Sequence, residues 1–570
     1  MRPCACILVL LAFNGGLRAS GPAGAGSGAG DRLRVISDLR TMRGIDRGTA
    51  QATRPGKCGL EMGFRVLDRW KEFSESEKGL VRALLAPPLS QKSRIVGRFH
   101  FYYDTTGSDS PALLDASNQR IPGSAEAYVD SAGRILNHVW DAEINSLGYS
   151  PPPLRADSAY PVSIHDLSPG LYGETFPDPD PIGPGSPPRY LTTIEVDNDF
   201  REGLYFSKGL RGLEVTCAHE FHHAIQLGAY GYWGDAQRYI YEITSTWMED
   251  EVYTDVNDYY QYLSNDVNQT SQFSTPDIRF TRTDQSIEYS RAVWGKFIEK
   301  RFSSSTMRRM WEHMRDVSSL DAIERAVGEA GSTLRAAFLE YAYWNLNTGP
   351  AADTLKFYSE GMNYPPMRIA STVDYLPPGI SFQDSIGAMS SDYHKICLLT
   401  SASDSCGDKN SMVAIVSNVD APNGYSDLDY PFTYTLSSAP SEGARELRNA
   451  MYVTLDVADP QVWSSQETIP TAVPDVLVFP SPYQSTGGGL LWFRLPATPV
   501  SPTATLSVFT SSMTRVYSGT VPVLAFRPQE PALSWNGRTD RGESIATGVY
   551  LYFISVDETD YFGKFAAIRN

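Results

Sequence analysis

Hydrophobic and polar residues recur with different periods along the chain, and the period predicts the type of element. One or two helices are predicted over Glu61–Leu85 by apolar residues at helical spacing, namely Leu67, Trp70, Leu80 and Leu84. A long amphipathic helix is predicted over Ser124–Leu147, and helices dominate from Gly212 to about Asn347. Alternation of apolar and polar residues predicts three strands, at Arg98–Asp104, Tyr160–His165 and Tyr190–Asp197.

The pattern changes beyond Tyr358 to short alternating segments such as MVAIVSNV, FTYTLSS and MYVTLDV, with turn residues between them. Several short strands separated by turn clusters are typical of β-sandwich modules. A boundary near Pro474 is expected to separate two of these modules. Near the other end of the chain, residues 20–57 are rich in Gly, Ala and Arg and are expected to be poorly ordered.

The N-terminus has the three-part layout of a secretory signal peptide over residues 1–20. Arg2 is followed by the apolar run Ile7–Phe13 and then by small residues around Ala19. A buried N-terminal helix is the alternative, but the Gly and Ala residues that follow disfavour it. No later segment approaches the ~18 consecutive apolar residues of a membrane-spanning helix. The sequence therefore predicts an exported protein that is not transmembrane.

Composition excludes one class of partner. The 570 residues carry 49 basic and 66 acidic side chains, a formal net charge of −17, and no block of Lys or Arg. A phosphate backbone would be repelled, so we expect no nucleic acid partner. Outside the signal peptide the cysteines are few: Cys58, Cys217, Cys397 and Cys406. Export permits disulfides, and Cys397 and Cys406 are close enough in sequence to link a β-hairpin.

The stretch CAHEFHHAIQ, residues 217–226, contains the strongest candidate chemistry. His219 and His223 are spaced i, i+4, which places both imidazoles on one face of a helix, where they can share a Zn²⁺ with Glu220 beside them as general base. A separate apolar stripe leaves the two histidines to face a cleft; its members are Leu213, Cys217, Phe221, Ala224 and Ile225. His222 points about 100° away from its neighbours and is expected to orient another side chain or to face solvent. A core helix with hydrogen-bonded histidines is the alternative.

A catalytic zinc needs a third protein ligand and an open position for water. Metzincins have a histidine six residues after the second histidine of the motif, but here Ala229 stands at that place, which excludes them. Eighteen residues separate His223 from Glu242, in the segment YEITSTWMED. Glu242 and Glu249 lie on a common face of this second predicted helix at i, i+7.

This HExxH, eighteen residues, Glu arrangement resembles the gluzincins, a group that includes thermolysin and aminopeptidase N. The resemblance implies that His219, His223 and Glu242 bind Zn²⁺, that Glu220 is the catalytic base and that Glu249 orients a ligand histidine. Two features depart from these relatives. The GAMEN motif of the exopeptidases is absent, and Thr246 replaces the Asp that thermolysin has four residues after its ligand Glu.

A second resemblance covers about residues 57–370. The segments CGLEMGF, GLYGET, VDNDF, VTCAHEFHHAIQ and the WMED helix are similar to a group of secreted bacterial zinc metallopeptidases known mainly from sequence. Peptide hydrolysis also needs a donor for the oxyanion, for which Tyr289 and Tyr230 are candidates. The strand Tyr190–Asp197 could pair with an extended substrate as an edge strand does, or it could be an interior strand.

Two further residue groups have alternative interpretations. Cys58, in PGKCGLEM, could occupy the open zinc position and hold the enzyme latent, as in metalloproteases with a cysteine switch; a disulfide or a plain buried thiol are the alternatives. The trio Asp197, Asn198 and Asp199 could bind Ca²⁺ or could form a turn.

The C-terminal region has its own resemblance. VFPSPYQ, WFRLP, the turn WNGRTDRGESIATGVYLYFI and the ending FGKFAAIRN are similar to the C-terminal immunoglobulin-like domain of type IX secretion substrates and of flagellar hook-capping proteins. The resemblance implies that this region addresses or attaches the protein through secretion machinery. VFPSP stands where that family has a PNP turn. A stabilising β-sandwich is the alternative.

Together these observations predict a multidomain α+β protein with a mainly helical, zincin-like core and a small N-terminal sheet, followed by two β-sandwich, Ig-like modules. The expected divisions are a signal peptide (1–20), a possible pro-region (21–95), a zincin-like metallopeptidase domain (96–350), a β-sandwich domain (351–470) and a C-terminal Ig-like sorting domain (471–570). The expected function is that of a zinc metalloendopeptidase acting on proteins or peptides, secreted or at the surface of a Gram-negative-type bacterium. The alternative is an inactive zincin-fold protein that serves surface binding or adhesion.

Overall fold

The structure is a computed structural model of the chain. It describes residues 7–11, 28–43, 45, 57–155, 159–283, 286–375, 379–398, 406, 411–426, 429–438, 451–456, 463–467, 476–480, 482–485, 489–496, 499–510, 515–527, 530–557 and 559–569.

The α-helices of the described residues are concentrated between residues 28 and 346. They are α1 (Gly28–Met42), α2 (Leu60–Arg69), α3 (Glu75–Leu85), α4 (Ala125–Trp140), α5 (Gly209–Ile225), α6 (Arg238–Val252), α7 (Ile287–Ser290), α8 (Ala292–Arg301), α9 (Ser304–His313), α10 (Ser319–Glu329) and α11 (Leu334–Leu346).

The predicted helical region Glu61–Leu85 contains two helices, because a capping box at Ser74 starts α3 after the short break that follows α2. The apolar stripe differs at one position from the prediction. Val81 is fully buried, whereas Leu80 is 39% exposed, so the buried face of α3 is formed by Val81, Leu84 and Leu85. Helix α1 contradicts the expectation of poor order for residues 20–57. Its residues Val35, Ile36 and Leu39 share a small core with α2, α3 and Phe176.

In its described part, the first compact unit, residues 1–467, contains three sheets. Its strands are β1 (Ile7–Leu11), β2 (Lys92–Val96), β3 (Phe99–Tyr103), β4 (Tyr160–His165), β5 (Gly173–Pro177), β6 (Thr192–Asp197), β7 (Ser371–Tyr375), β8 (Gly379–Gly387), β9 (Ser390–Leu398), β10 (Ser411–Asn418), β11 (Asp429–Ser438), β12 (Met451–Asp456) and β13 (Trp463–Glu467).

One of these sheets has the strand order β2-β3-β4-β6-β5 and lies against α5. Strands β3, β4 and β6 run parallel, and β5 runs antiparallel to β6 at the end of the sheet. Every residue of β6 is buried, and the strand has a neighbour on both sides. The predicted strand Tyr190–Asp197 is therefore an interior strand, and β5 is the edge strand nearest α5.

The other two sheets of this unit have the orders β1-β11-β8 and β13-β12-β10-β9-β7. The sheet β13-β12-β10-β9-β7 has buried residues, including Tyr393 and Ile415, that belong to the same hydrophobic core as the helices. Cys397, near the end of β9, and Cys406, beyond that strand, form the disulfide considered from the sequence. β1 lies within the predicted signal peptide and pairs with β11; the removal of residues 1–20 stays a prediction.

The second compact unit, residues 468–570, consists of strands only in its described part. They are β14 (Leu477–Phe479), β15 (Tyr483–Gln484), β16 (Leu491–Arg494), β17 (Thr503–Thr510), β18 (Arg515–Pro522), β19 (Leu524–Arg527), β20 (Glu530–Trp535), β21 (Gly548–Val556) and β22 (Thr559–Ile568). Two sheets, β14-β16-β20-β19 and β15-β22-β21-β17-β18, contribute to one hydrophobic core. The chain is thus a multidomain α+β protein. Among the described helices, none is both long and apolar enough to traverse a bilayer.

Candidate metal centre

Helices α5 and α6, which pack against each other, form the candidate site. Strands β5 and β6 pack against α5. From Gly212 to its end, all but one of the residues of α5 are buried, because neighbours surround the helix on most sides. β5 approaches α5 closely at Gly173. A Cβ atom at this position would lie 2.7 Å from Thr216 Cγ2 and 2.8 Å from Glu220 Cγ, so only glycine fits between the strand and the helix.

The structure brings the three ligands implied by the sequence to one point. His223 Nε2 lies 3.0 Å from His219 Nε2 and 3.5 Å from Glu242 Oε2, and His219 Nε2 lies 3.2 Å from the same carboxylate oxygen. Ligand atoms around a tetrahedral zinc ion, at about 2.0–2.1 Å from the metal, are about 3.3 Å apart. The donor types and their separations therefore fit a divalent cation.

The other nitrogen of each imidazole has its own partner. His219 Nδ1 lies 2.8 Å from Glu249 Oε1, and His223 Nδ1 lies 2.7 Å from Gln226 Oε1. The Gln226 amide nitrogen donates to the backbone carbonyl of Tyr241, which fixes the orientation of the amide and leaves its oxygen as the acceptor for His223. Nδ1 of each imidazole therefore donates to one of these acceptors, which leaves Nε2 as the atom that can bind a metal, the arrangement that metal-binding histidines adopt.

Buried charges make this point suitable for a cation. Burial alone would lower the pKa of His219, but the hydrogen bonds that His219 donates to Glu242 and Glu249 outweigh burial and raise the pKa to about 9. Burial alone would raise the pKa of Glu242, but His223 and His219 hold it well below its usual range. The carboxylates thus attract positive charge to His219, and a bound metal ion would take the place of its Nε2 proton.

Cys58 is the fourth member of the cluster. Its Sγ and one donor atom each of His219, His223 and Glu242 all lie within 4.8 Å of one another. Cys58 is 6% exposed and is outside any disulfide. Burial, and then the carboxylates of Glu220 and Glu242, raise the pKa of its thiol well above the usual value. The disulfide considered from the sequence for Cys58 is not formed.

Glu220, the expected base, is held by the edge strand. Thr175 Oγ1, on β5, lies 2.6 Å from Glu220 Oε2 and 2.9 Å from the Glu220 carbonyl oxygen, so its hydroxyl can donate to either acceptor. The side chain of Glu220 is 1% exposed.

The two candidate oxyanion donors lie in different surroundings. The ring of Tyr289 is 6.2 Å from that of His219 and packs against Tyr262. Burial, and then the carboxylate of Glu242 and the thiol of Cys58, raise the pKa of the Tyr289 hydroxyl, which is therefore protonated. The Tyr230 hydroxyl instead accepts a hydrogen bond from the Ser150 backbone, and its ring packs against Trp311.

The histidines are more buried than expected in two respects. His219 and His223 are 1% and 0% exposed, so the histidines do not face an open cleft. His222 does not face solvent either: it is fully buried, and its Nδ1 lies 2.7 Å from Glu143 Oε2. Burial lowers the pKa of His222 and raises that of Glu143, so both are neutral. This pair joins α5 to the π-helical turn that follows α4.

Three contributors to the site were missed by the sequence reasoning: Lys57, Thr175 and Gln226. Gln226 had a local signal, because it follows His223 by three positions and so lies on the same helix face. Lys57 Nζ lies 2.5 Å from both Glu249 Oε2 and Asp258 Oδ2, partners that are 192 and 201 residues away in sequence. No spacing rule could have identified this contact.

The trio Asp197, Asn198 and Asp199 forms a turn. Asp197 Oδ1 accepts hydrogen bonds from the backbone N–H groups of Asp199 and Phe200, and Asp199 forms an ion pair with Arg120 at 3.0 Å. Asp197 and Asp199 also lie in one cluster with Glu202, with one donor atom of each residue within 4.8 Å of the others, so the turn brings together carboxylates that could hold a cation.

No protein-family model matches the sequence, and no curated protein matches it. Among solved structures it is similar to PorZ of Porphyromonas gingivalis, a surface component of the type IX secretion system, at 16% identity over 28% of this chain and 20% of PorZ, with a TM-score of 0.13. It is also similar to latent dimeric PorU of the same organism, at 20% identity over 25% of this chain and 14% of PorU, with a TM-score of 0.14.

A third similar structure is CopC of Methylosinus trichosporium OB3b, at 16% identity over 17% of this chain and 95% of CopC, with a TM-score of 0.12. The chain spans only about a fifth or less of the length of PorZ and PorU. These similarities are too low to assign a fold or a function to the chain. The functional argument therefore depends on the geometry of the site.

Proposed function

We propose that this protein is a zinc metalloendopeptidase with a zincin-like core. The observation that carries the proposal is the convergence of His219 Nε2, His223 Nε2 and Glu242 Oε2, which lie 3.0–3.5 Å from one another. Two histidines and one carboxylate, all from two adjacent helices, form the ligand set of zinc hydrolases of the thermolysin type. The antiparallel edge strand β5 beside α5 supports the same interpretation, since extended peptides bind by adding to a sheet edge.

Each side chain has a defined task in this proposal. Zinc, when bound, acts as a Lewis acid that activates water and polarises the scissile carbonyl. Glu220 accepts a proton from the attacking water at Oε1, while Thr175 holds Oε2, and then delivers the proton to the leaving amine. The protonated Tyr289 hydroxyl is suited to donate to the developing oxyanion. Glu249 and Gln226 keep the two imidazoles in the tautomer that binds metal.

The second unit, residues 468–570, is proposed to serve sorting or surface attachment through secretion machinery. The sequence resemblance of VFPSPYQ and WNGRTDRGESIATGVYLYFI supports this, together with a two-sheet architecture that has its own core. The Cys397–Cys406 disulfide is in keeping with export from the cytoplasm.

A non-catalytic zinc-binding protein is a second candidate, and one observation favours it. Cys58 supplies a fourth donor beside the two histidines and Glu242, and all four side chains are buried. Four protein donors with no open position are typical of structural zinc sites. In this alternative the metal stabilises a surface binding or adhesion protein.

The test is hydrolysis of casein and of a fluorogenic peptide library by the zinc-loaded chain, measured for wild type and Glu220→Gln, each also with Cys58→Ser. The peptidase proposal predicts that Glu220→Gln lowers hydrolysis by about 100-fold or more in either background, because the proton acceptor is lost. Zinc content should stay the same, since Glu220 is not a ligand. Zinc-loaded chains that fail to hydrolyse any substrate even with Cys58→Ser would favour the non-catalytic candidate.

A further inference from the structure

The segment Lys57–Gly59 lies against the edge strand of the sheet at the metal centre. The Tyr172 backbone N–H donates to the Lys57 carbonyl at 2.9 Å, and the Gly59 N–H donates to the Gly173 carbonyl at 3.2 Å. Cys58 and Gly173 form an isolated parallel bridge. In the described part of the chain, β5 has β6 on one side, and Lys57–Gly59 lies at the beginning of its other side. An extended peptide that adds to this edge beside Gly173 would need the same backbone groups.

Lys57 anchors the segment from behind the ligands. Its ammonium group lies between Glu249 Oε2 and Asp258 Oδ2, at 2.5 Å from each, and is 4% exposed. Glu249 is also the partner of His219 Nδ1, so the anchor of the segment and the orientation of a ligand depend on the same carboxylate. A buried ammonium between two carboxylates is costly to separate from them, which holds the neighbouring residue in place.

Cys58 is consequently directed at the metal ligands. Its Sγ has the His219, His223 and Glu242 donors within 4.8 Å. A thiolate is a strong zinc ligand, at about 2.3 Å from the metal, and would complete a tetrahedron with two nitrogens and one oxygen. In a hydrolytic zinc site this fourth position belongs to water.

We propose that the Cys58 thiolate is the fourth metal ligand and that the Lys57–Gly59 segment keeps the site closed to water and to substrate. When the metal binds, the thiol releases its proton to solvent and its sulfur lone pair forms the metal–sulfur bond. Opening reverses this: the sulfur leaves, regains a proton from solvent, and the fourth position passes to water. The proposed ligation depends only on the positions of the donor atoms. Its consequence, latency, rests on the proposed peptidase function.

Opening requires little of the fold to move. Helix α2 begins at Leu60, and its residues Leu60 and Phe64 are fully buried in the main core. The helix can therefore remain packed while the three preceding residues leave the sheet edge, a step that also separates Lys57 from Glu249 and Asp258. The site is controlled by a short segment and not by the unfolding of a domain.

The ligation is tested on the full-length chain loaded with zinc or cobalt. X-ray absorption of the zinc form is expected to show one sulfur neighbour at about 2.3 Å, and the cobalt form a thiolate-to-cobalt charge-transfer band. Cys58→Ser should remove both signals, whereas Cys217→Ala, at the other buried cysteine outside a disulfide, should retain them. Thermal unfolding of each variant verifies that it is folded. A wild-type zinc shell without sulfur, or a sulfur signal that persists in folded Cys58→Ser, overturns the proposal.

The latency is tested by peptide hydrolysis with the same variants. Cys58→Ser is expected to raise kcat/KM by about tenfold or more over wild type, because the fourth position becomes accessible to water. Cys217→Ala should match wild type, and the added change Glu220→Gln should abolish the gain. A folded, zinc-loaded Cys58→Ser chain that is no more active than an active wild type overturns latency. Absence of hydrolysis in every zinc-loaded variant instead overturns the peptidase function and latency together, while the sulfur signal still decides the ligation.

Discussion

Gln226 is the residue that orients the second ligand histidine. Its amide nitrogen donates to the Tyr241 carbonyl, so its oxygen accepts a hydrogen bond from His223 Nδ1. We expect Gln226→Leu to lower zinc affinity by about 10–100-fold, the usual effect of removing the partner of a metal-bound histidine. Competition with a chromophoric chelator measures this affinity. Cys217→Ala is the control, because it changes a buried side chain of the same helix outside the ligand cluster; unchanged affinity in Gln226→Leu would contradict the assigned role.

Glu174 makes the stability of the first unit depend on pH. Burial, and then the charge of Glu195, raise the pKa of the Glu174 carboxyl from 4.5 to about 8, and its Oε2 has no hydrogen-bond partner among the described residues. Between these two values the folded chain binds more protons at this site than the unfolded chain does. The free energy of unfolding should therefore fall as the pH rises from about 5 to 8, by at most about 1.4 kcal/mol per pH unit.

The direction of this pH dependence determines the prediction for Glu174→Gln. The variant lacks the titrating proton, so its stability relative to wild type should increase as the pH rises from about 5 to 8. Urea unfolding at several pH values measures the difference. Gly79→Ala, at an exposed position of α3 that carries no titrating side chain, is the control and should leave the slope as in wild type. If the free energies of unfolding of Glu174→Gln and wild type differed by the same amount at every pH, the raised pKa of Glu174 would be refuted.

At the scale of single residues, the sequence predicts those features of the site that depend on residues close together in the chain. His219, Glu220 and His223 lie within one helical turn, and Glu242 and Glu249 share one face of the next helix, so their spacing alone indicates that they can converge. The sequence does not predict how the site is closed. Such contacts come from distant parts of the chain through tertiary packing: Lys57 reaches Glu249, and Thr175 reaches Glu220.

At the scale of elements, the site depends on the close approach of β5 to α5. Gly173→Ala would place a Cβ atom 2.7 Å from Thr216 Cγ2 and 2.8 Å from Glu220 Cγ, so strand and helix must move apart. We expect a loss of about 1–3 kcal/mol of stability, as for other overpacked cores, together with reduced zinc content because Glu220 lies next to a ligand. Thermal unfolding and metal analysis measure the two effects.

Gly79→Ala is the matched control for this substitution. Gly79 lies in α3, and a Cβ atom there would meet nothing within 4 Å. Alanine is a better helix former than glycine, so this variant should gain about 0.5–1 kcal/mol. If Gly173→Ala were as stable as Gly79→Ala, the close approach would not be the reason for glycine in β5.

The same strand shows why some elements were not predictable. The sequence of β5, GETFP, contains Gly and Pro and has no alternation, because both of its faces are buried. Helix α1 was missed for a related reason: its first residues are Gly and Ala, and its buried residues become apparent only against Phe176 of β5. Helices with apolar residues at helical spacing in the sequence, such as α2, α3, α5 and α6, were predictable because that spacing is a local feature of the chain.

At the scale of the whole molecule, the chain forms two compact units, each with its own hydrophobic core. In the first unit, residues far apart in sequence meet at the metal centre, as Lys57 and Asp258 do. In the second unit the core is built from two sheets, with Phe493 packed against Tyr552 and Phe565. Because the ligand cluster Cys58, His219, His223 and Glu242 lies entirely in the first unit, metal binding should not require the second.

Division of the chain after Glu467 tests this independence. The fragment 1–467 should bind the same amount of zinc as the full-length chain and hydrolyse peptides at the same rate, because all ligands and Glu220 are retained. The fragment 468–570 should unfold in one cooperative transition, as single domains of about 100 residues do. Metal analysis, peptide hydrolysis and calorimetry of the two fragments measure these outcomes. If the fragment 1–467 lost its zinc, or if the fragment 468–570 unfolded without a cooperative transition, the two units would depend on each other for stability.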